Sequence, residues 1–91
     1  MNETIAEIES RLAVLAPSHI EIIDDSALHA GHAGARSGGG HYQLTIVSDA
    51  FNGQNIVARH RAIYQALGDL MTTRVHALSI NAKSPDEFFS A

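Results

Sequence analysis

Hydrophobic residues recur at helical spacing in two long segments of this chain. The first segment predicts an amphipathic helix over residues 2–15, ended by Pro17, with one apolar stripe formed by Ile5, Ile8, Leu12 and Leu15. The second predicts a helix over residues 54–71, with a stripe formed by Ile56, His60, Ile63, Leu67 and Leu70 and widened by Val57 and Tyr64. Near the C-terminus, Ser84 before Pro85 predicts the N-cap and first residue of a short closing helix.

Three further segments carry a period of two, which is typical of strands. They cover residues 19–24, 42–48 and 74–82. In the second strand we expect Tyr42, Leu44 and Ile46 to face inward; in the third we expect His76, Leu78, Ile80 and Ala82 to share one face. The chain is thus predicted to be a single α+β domain over residues 1–91, in the order α-β-β-α-β-α, with a three-stranded sheet backed by helices.

Between the first two strands the composition changes to glycine, alanine, serine and histidine. Gly31, Gly34 and the run from Gly38 to Gly40 disfavour a regular element, so residues 25–40 are predicted to form a long mobile loop. Loops of this length in small domains are commonly functional. This one carries His29 and His32.

Composition narrows the class of protein. The 91 residues are 45% hydrophobic and 18% charged, as in a folded globular domain, and include no cysteine. No apolar run approaches the roughly 20 residues that cross a bilayer, and no basic-then-apolar leader is visible, so we expect a cytoplasmic protein that does not enter a membrane. The net charge of −4 argues against a nucleic-acid binder. Nucleotide-binding and metalloprotease motifs are missing, so we do not expect an enzyme.

Six histidines are the most informative chemical feature. His29 and His32, three residues apart, either converge on one metal ion or are solvated loop residues. His76 is predicted at the edge of an apolar face, where partial desolvation favours the neutral, ligand-competent imidazole, although a structural role is equally open. His60 lies in an apolar stripe and is expected to pack. His19 is interpreted as structural or solvated, and His41 as solvated or functional.

Arginines concentrate on the second long helix and just after it. Arg59 and Arg61 project about 200° apart on a helix, so together with Arg74 they do not form one stripe along DNA. We interpret them as a solvated helix surface that contacts a protein partner or a carboxylate. A DNA-binding helix containing Arg59, His60 and Arg61 is the alternative.

Read in order, these segments resemble the BolA family over almost the whole chain. The stretches that carry the resemblance are Ile23-Asp24-Asp25-Ser26, His29-Ala30-Gly31-His32-Ala33-Gly34, His41-Tyr42, Thr45-Ile46-Val47-Ser48, Ala50-Phe51-Asn52-Gly53, Val57-Ala58-Arg59-His60-Arg61, Val75-His76-Ala77-Leu78-Ser79-Ile80 and Lys83-Ser84-Pro85. Each stretch is weak evidence alone, whereas the ordered set is specific.

The resemblance implies a fold similar to the class II KH domain, and a monothiol glutaredoxin of the CGFS type as partner. Such pairs bridge a [2Fe–2S] cluster, with cysteine and glutathione thiolates on the glutaredoxin side. The family's C-terminal histidine falls on His76, and the loop ligand falls on His29, with His32 as a close competitor. Two histidines on one iron is the Rieske arrangement.

Two further expectations follow from the same resemblance. The isolated chain is expected to hold no cluster, because the thiolates come from the partner. On its own it is expected to be a monomer or a weak homodimer. A transcriptional regulator that binds DNA weakly is also a role of the family. The GxxG loop by which KH domains hold RNA is absent, so RNA recognition is not carried over.

Overall fold

The computed structural model describes residues 3–25 and 40–89 and confirms the predicted α+β domain. Within these residues, four helices and three strands follow one another: α1 (Glu3–Leu12), β1 (His19–Asp24), β2 (Gly40–Val47), α2 (Ile56–Leu67), α3 (Leu70–Thr73), β3 (Val75–Lys83) and α4 (Pro85–Phe89). Two 3-10 turns, Ala13–Leu15 and Asp49–Phe51, lie between them. In the part of the chain described, no helix is long and apolar enough to cross a membrane. Of the loop predicted over residues 25–40, residues 26–39 lie outside the described residues, and Gly40 is the first residue of β2.

The three strands form one mixed sheet in the order β1-β2-β3. β1 pairs antiparallel with β2, with Ile22 opposite Leu44. β2 pairs parallel with β3, with Leu44 opposite Ile80. The parallel pair requires a crossover, and α2 and α3 supply it.

One face of this sheet packs on the helices and forms the core. Leu44 and Ile46 of β2 are fully buried there, as the alternating pattern predicts, and Tyr42 is nearly so. Ile8 and Leu12 of α1 and Ile63 and Leu67 of α2 complete the cluster, together with Phe51, Leu70 and Val75. The other face is exposed at Gln43, Ser79 and Asn81. A polar, uncovered face suits an antiparallel or mixed sheet with helices on one side only.

The predicted helix over residues 54–71 is wrong in its bounds and in part of its stripe. The Asn55 side chain accepts a hydrogen bond from the backbone of Ala58, which starts α2 at Ile56, and Gly68, at a φ of 55°, ends it and separates α3. Ile56 is 66% exposed, Val57 59% and Tyr64 42%, because α2 packs through its C-terminal half. Three apolar residues predicted for the core therefore lie at the surface.

A buried serine joins three parts of the fold. The Ser48 hydroxyl donates to the carbonyl of Leu15 at 2.6 Å and accepts from the backbone of Ala50, while the Ser48 N–H donates to the carbonyl of Lys83. These bonds tie the end of β2 to the turn after α1 and to the end of β3. The candidate site lies at the opposite end of the sheet, where β2 and β3 begin.

Candidate functional site

Both ends of the histidine-bearing segment are fixed at one end of the sheet. On entry, the Asp25 backbone N–H donates to the carbonyl of His41 at 2.7 Å. On exit, the Gly40 N–H donates to the carbonyl of Arg74 at 3.0 Å. Residues 26–39, including His29 and His32, are thus attached at the end of the sheet where β2 and β3 begin.

The ring of Tyr42 lies so close to the backbone of Gly40 that a side chain at position 40 would clash with it. A Cβ at this position would lie 2.5 Å from the ring of Tyr42, which is buried. The ring of Tyr42 therefore covers the backbone of Gly40, at the start of the strand. Glycine in a strand commonly marks such a place, where a side chain or backbone comes close.

A β-bulge at the start of β3 corrects the predicted orientation of His76. Gly40 pairs with Val75, but His41 already pairs with Ala77, so His76 is the extra residue. Val75, not His76, is buried in the core, and His76 is exposed. The alternation of Leu78, Ile80 and Ala82 had placed His76 on the apolar face. That prediction is wrong, because one extra residue reverses the side on which a side chain lies.

The bulge brings His76 against His41. Their ring centroids are 5.1 Å apart and the rings are tilted by 49°. Beside His41 the sheet surface has a hollow of about 260 Å³ lined in part by Asp25, Gln43 and Ser79. The carboxylate of Asp25 accepts a hydrogen bond from the amide of Gln43. Sequence reasoning missed this histidine pair, because strict alternation puts the two residues on opposite faces.

The predicted loop ligands His29 and His32 lie outside the described residues. Along the chain, His29 follows Asp25 by four residues and His32 follows it by seven. Among the described residues no group of three or more histidine, aspartate or glutamate side chains could hold a metal ion.

The other two histidines take the roles expected of them. The ring of His19 stacks on Phe88 at 5.0 Å, at the end of β1 opposite to Asp24. His60 is half-buried in α2, and within the described ranges its Nε2 is buried without a hydrogen-bond partner. Neither ring contacts the His41–His76 pair.

Arg59 is engaged inside the domain, where the predicted contact with a carboxylate is made by Glu87. Its guanidinium donates to the carbonyls of Gln54 and Ala82 and forms a two-point ion pair with Glu87, at 2.6 and 3.3 Å. The hydrogen bond from Arg59, followed by that from the backbone of Ser84, lowers the pKa of Glu87 from 4.5 to about 2. Ser84 and Glu87 also cap α4 reciprocally, which confirms the predicted N-cap. Arg59 therefore connects α2, β3 and α4.

Arg61 and Arg74 remain available at the surface. Arg61 lines an open groove of about 540 Å³ on α2, together with Val57, His60 and Tyr64. Arg74 is exposed and lies two residues before His76. Exposed tyrosine and arginine side chains beside apolar ones are typical of protein-binding surfaces.

The family model for BolA-like proteins matches residues 12–87, which include the whole sheet and α2. The chain belongs to the BolA family. This BolA domain thus exposes His76 through a bulge. It also has what we call the Arg59 brace, the bonds from Arg59 to Gln54, Ala82 and Glu87. The resemblance read from the ordered sequence stretches is confirmed.

Relatives differ in length and in name. In Arabidopsis thaliana, the chain is 49% identical over 78 residues to SufE-like protein 1, chloroplastic/mitochondrial, matching 80% of this chain and 21% of that protein. It is also 43% identical over 76 residues to the chloroplastic protein BOLA1, of which it covers 48%. The chain therefore spans about a fifth and about half of these two relatives. The Escherichia coli DNA-binding transcriptional regulator BolA is 37% identical over 82 residues, covering 89% of this chain and 75% of that protein.

Solved structures agree with the fold. The BolA domain of SufE1 from Arabidopsis thaliana superposes with a TM-score of 0.81 at 42% identity, covering 96% of this chain and 98% of that one. BolA1 from Mus musculus gives a TM-score of 0.79 at 34% identity, covering 97% and 70%. The predicted three-stranded sheet backed by helices is thus the shared architecture of these BolA proteins.

Proposed function

We propose that this BolA domain is an accessory factor in iron–sulfur cluster assembly or trafficking. In this role it binds a monothiol glutaredoxin of the CGFS type and shares a [2Fe–2S] cluster with it as cargo. The observation that carries the proposal is the exposed imidazole of His76, presented by a bulge at the end of the sheet to which the His29 and His32 segment is attached. No catalytic step is assigned to the chain.

The chemistry of the available donors fits one side of such a cluster. The chain has no cysteine, so it cannot provide the four thiolates of an ordinary cluster, but imidazoles serve as iron ligands in Rieske-type centres. His76 would be one ligand and His29 or His32 the second. The sulfur ligands must then come from the glutaredoxin and its glutathione. The complex, rather than the BolA domain alone, is the binding unit.

The surface around His76 suits a protein partner. Arg74 places a positive charge two residues from the ligand, where it can pair with a carboxylate of the partner or of glutathione. Arg61 and the exposed Tyr64 provide a second contact patch on α2. Arg59 is excluded from this list because its donors are already used within the domain.

Anaerobic reconstitution tests the proposal. The BolA domain is mixed with a CGFS glutaredoxin, iron, sulfide and glutathione, and the visible circular dichroism of the cluster is compared with that of the glutaredoxin alone. We expect the BolA domain to change the spectrum, because imidazoles replace ligands on one iron. His76→Ala is expected to abolish the change. His29→Ala and His32→Ala, measured separately, identify the loop ligand.

His19→Ala is the matched control for these variants. It also removes one imidazole, but from the other end of β1, where the ring stacks on Phe88. We expect the cluster spectrum of this variant to equal that of the wild type. If His76→Ala and His19→Ala give the same spectrum, His76 is not a ligand.

DNA binding is the second candidate function, and the name of the Escherichia coli relative favours it. The structure weakens the part of this reading that used the Arg59-His60-Arg61 helix, because Arg59 is braced by Glu87 and two carbonyls. Arg61 and Arg74 would then carry the phosphate contacts. The net charge of −4 opposes such contacts over long range.

A duplex titration at several salt concentrations separates the two candidates. A regulator should bind a specific duplex with a salt dependence of several released counterions, roughly one per phosphate contact. Arg61→Ala and Arg74→Ala should each lower that slope by about one. We expect weak binding without sequence preference, because the net charge is −4 and Arg59 is occupied within the domain. Tight, sequence-specific binding would favour the regulator.

A further inference from the structure

A half-buried histidine, His41, and an exposed one, His76, lie together on the side of the sheet away from the helices, and the iron–sulfur proposal uses only His76. His41 projects from β2, opposite in direction to the buried Tyr42, and His76 projects from the bulge of β3. Neighbouring strands lie about 4.8 Å apart, so side chains at adjacent positions on one face meet directly. The bulge is what puts His76 on the same face as His41.

The spacing of the two rings matches that of two imidazoles bound to one metal ion. An imidazole nitrogen binds Zn²⁺ at about 2.0–2.1 Å, which puts each ring centre roughly 3.2 Å from the ion. Two rings at a tetrahedral angle of about 109° then have centres roughly 5.2 Å apart. The observed separation is 5.1 Å, and the rings are tilted rather than stacked.

The surroundings of the pair also favour a cation. Asp25, whose carboxylate is oriented by the amide of Gln43, lines the hollow beside His41. Both ring-bearing residues are held by the backbone: the carbonyl of His41 accepts the bond from Asp25, and the residues on either side of His76 pair with β2. Two donors in a fixed geometry lose little freedom when they bind an ion.

We propose that His41 and His76 form a two-imidazole site for a first-row divalent ion such as Zn²⁺ in the BolA domain itself. Water completes the coordination. The site shares His76 with the iron–sulfur proposal, but it needs neither the glutaredoxin nor His29 and His32. Imidazole nitrogen suits Zn²⁺, Ni²⁺ and Cu²⁺, and Cu²⁺ should bind more tightly than Zn²⁺.

Titration of the isolated, untagged chain with Zn²⁺ tests this site. Calorimetry gives the affinity, and long-range ¹H–¹⁵N correlation of the imidazoles shows which rings bind the ion. We expect the ring nitrogens of His41 and His76 to shift together. His41→Ala and His76→Ala should each weaken binding at least about tenfold, since even supporting residues of metal sites contribute that much.

A double variant, His29→Ala with His32→Ala, is the decisive control, because it removes both histidines of the adjoining segment and keeps His41 and His76. We expect its Zn²⁺ affinity to equal that of the wild type. Loss of binding in this variant, or shifts at His29 and His32 but not at His41, would overturn the proposal. Should His41→Ala fail to fold, the ring shifts of the wild type decide alone. The cluster experiment is independent: His41→Ala with a normal cluster spectrum but no Zn²⁺ binding separates the two sites.

Discussion

The brace formed by Arg59 leads to a stability prediction in which two arginines of one helix behave differently. Arg59→Ala removes a hydrogen bond from a charged donor to the partly buried carbonyl of Ala82, worth about 1.5–3 kcal/mol. It also removes the exposed bond to Gln54 and the contact of the guanidinium with Phe51, at 6.0 Å from the ring centre, each worth about 0.5 kcal/mol. Water can reach the vacated carbonyl through the hollow of about 350 Å³ beside Arg59, which lowers the cost. We therefore expect a loss of about 2 kcal/mol, with no amount added for the solvent-exposed pair with Glu87.

Arg61→Ala is the matched control, because it makes the same change of side chain and of charge two residues further along α2. Arg61 is exposed and makes no hydrogen bond or ion pair with the described residues, so its loss should change the free energy of unfolding by less than about 0.5 kcal/mol. Urea unfolding followed by far-ultraviolet circular dichroism measures both. A loss of about 2 kcal/mol corresponds to a Tm lowered by roughly 8–16 °C in a domain of this size. Equal free energies of unfolding for Arg59→Ala and Arg61→Ala would show that the bonds of Arg59 do not stabilise the domain.

Three further predictions concern the ends of the sheet. Because the pKa of Glu87 is lowered to about 2, the stabilisation from its pairing is complete above about pH 4.5 and is lost as the pH falls toward 2. Glu87→Gln keeps the cap of α4, and it should reduce the pH dependence of the free energy of unfolding in that window only. Ser48→Ala should cost about 1–2 kcal/mol, because the carbonyl of Leu15 and the N–H of Ala50 lose their partner, whereas Ser79→Ala on the exposed face should cost nothing measurable in urea unfolding. Gly40→Ala should cost about 1–3 kcal/mol, because its Cβ would displace the buried ring of Tyr42; unchanged near-ultraviolet dichroism of Tyr42 together with unchanged stability would contradict that reason.

The sequence predicts the elements of this domain well because most of them obey one rule each. Alternation places Leu44 and Ile46 in the core, and helical spacing places Ile8 and Leu12 there. The order of the first five elements follows from these periods, and the Ser84–Pro85 capping pattern adds the closing helix. The single long helix predicted over residues 54–71 is wrong because this range includes Gly68, whose positive φ ends α2.

The site was harder to predict than the fold because it depends on exceptions to those rules. Nothing in the local composition marks His76 as the extra residue of a bulge, and the apolar alternation after it predicts the wrong face. The pairing of Arg59 with Glu87 joins residues 28 positions apart, so helical spacing could not show that this arginine is occupied. Ser48 looked like the last residue of a strand, although its hydroxyl links β2 to the turn after α1.

The two backbone bonds that anchor residues 26–39 have a consequence for how such domains diversify. The bond from Asp25 to His41 and that from Gly40 to Arg74 close the segment onto the sheet independently of the residues between them. Doubling the length of a closed loop costs only about 0.6 kcal/mol in chain entropy. The segment can therefore be lengthened, shortened or given other metal-binding side chains while the frame carrying His41 and His76 is unchanged. The metal-binding side chains of this segment can then change while the sheet stays the same. Exchanging residues 26–39 between BolA domains should therefore transfer the ligand set and leave the fold of the recipient unchanged.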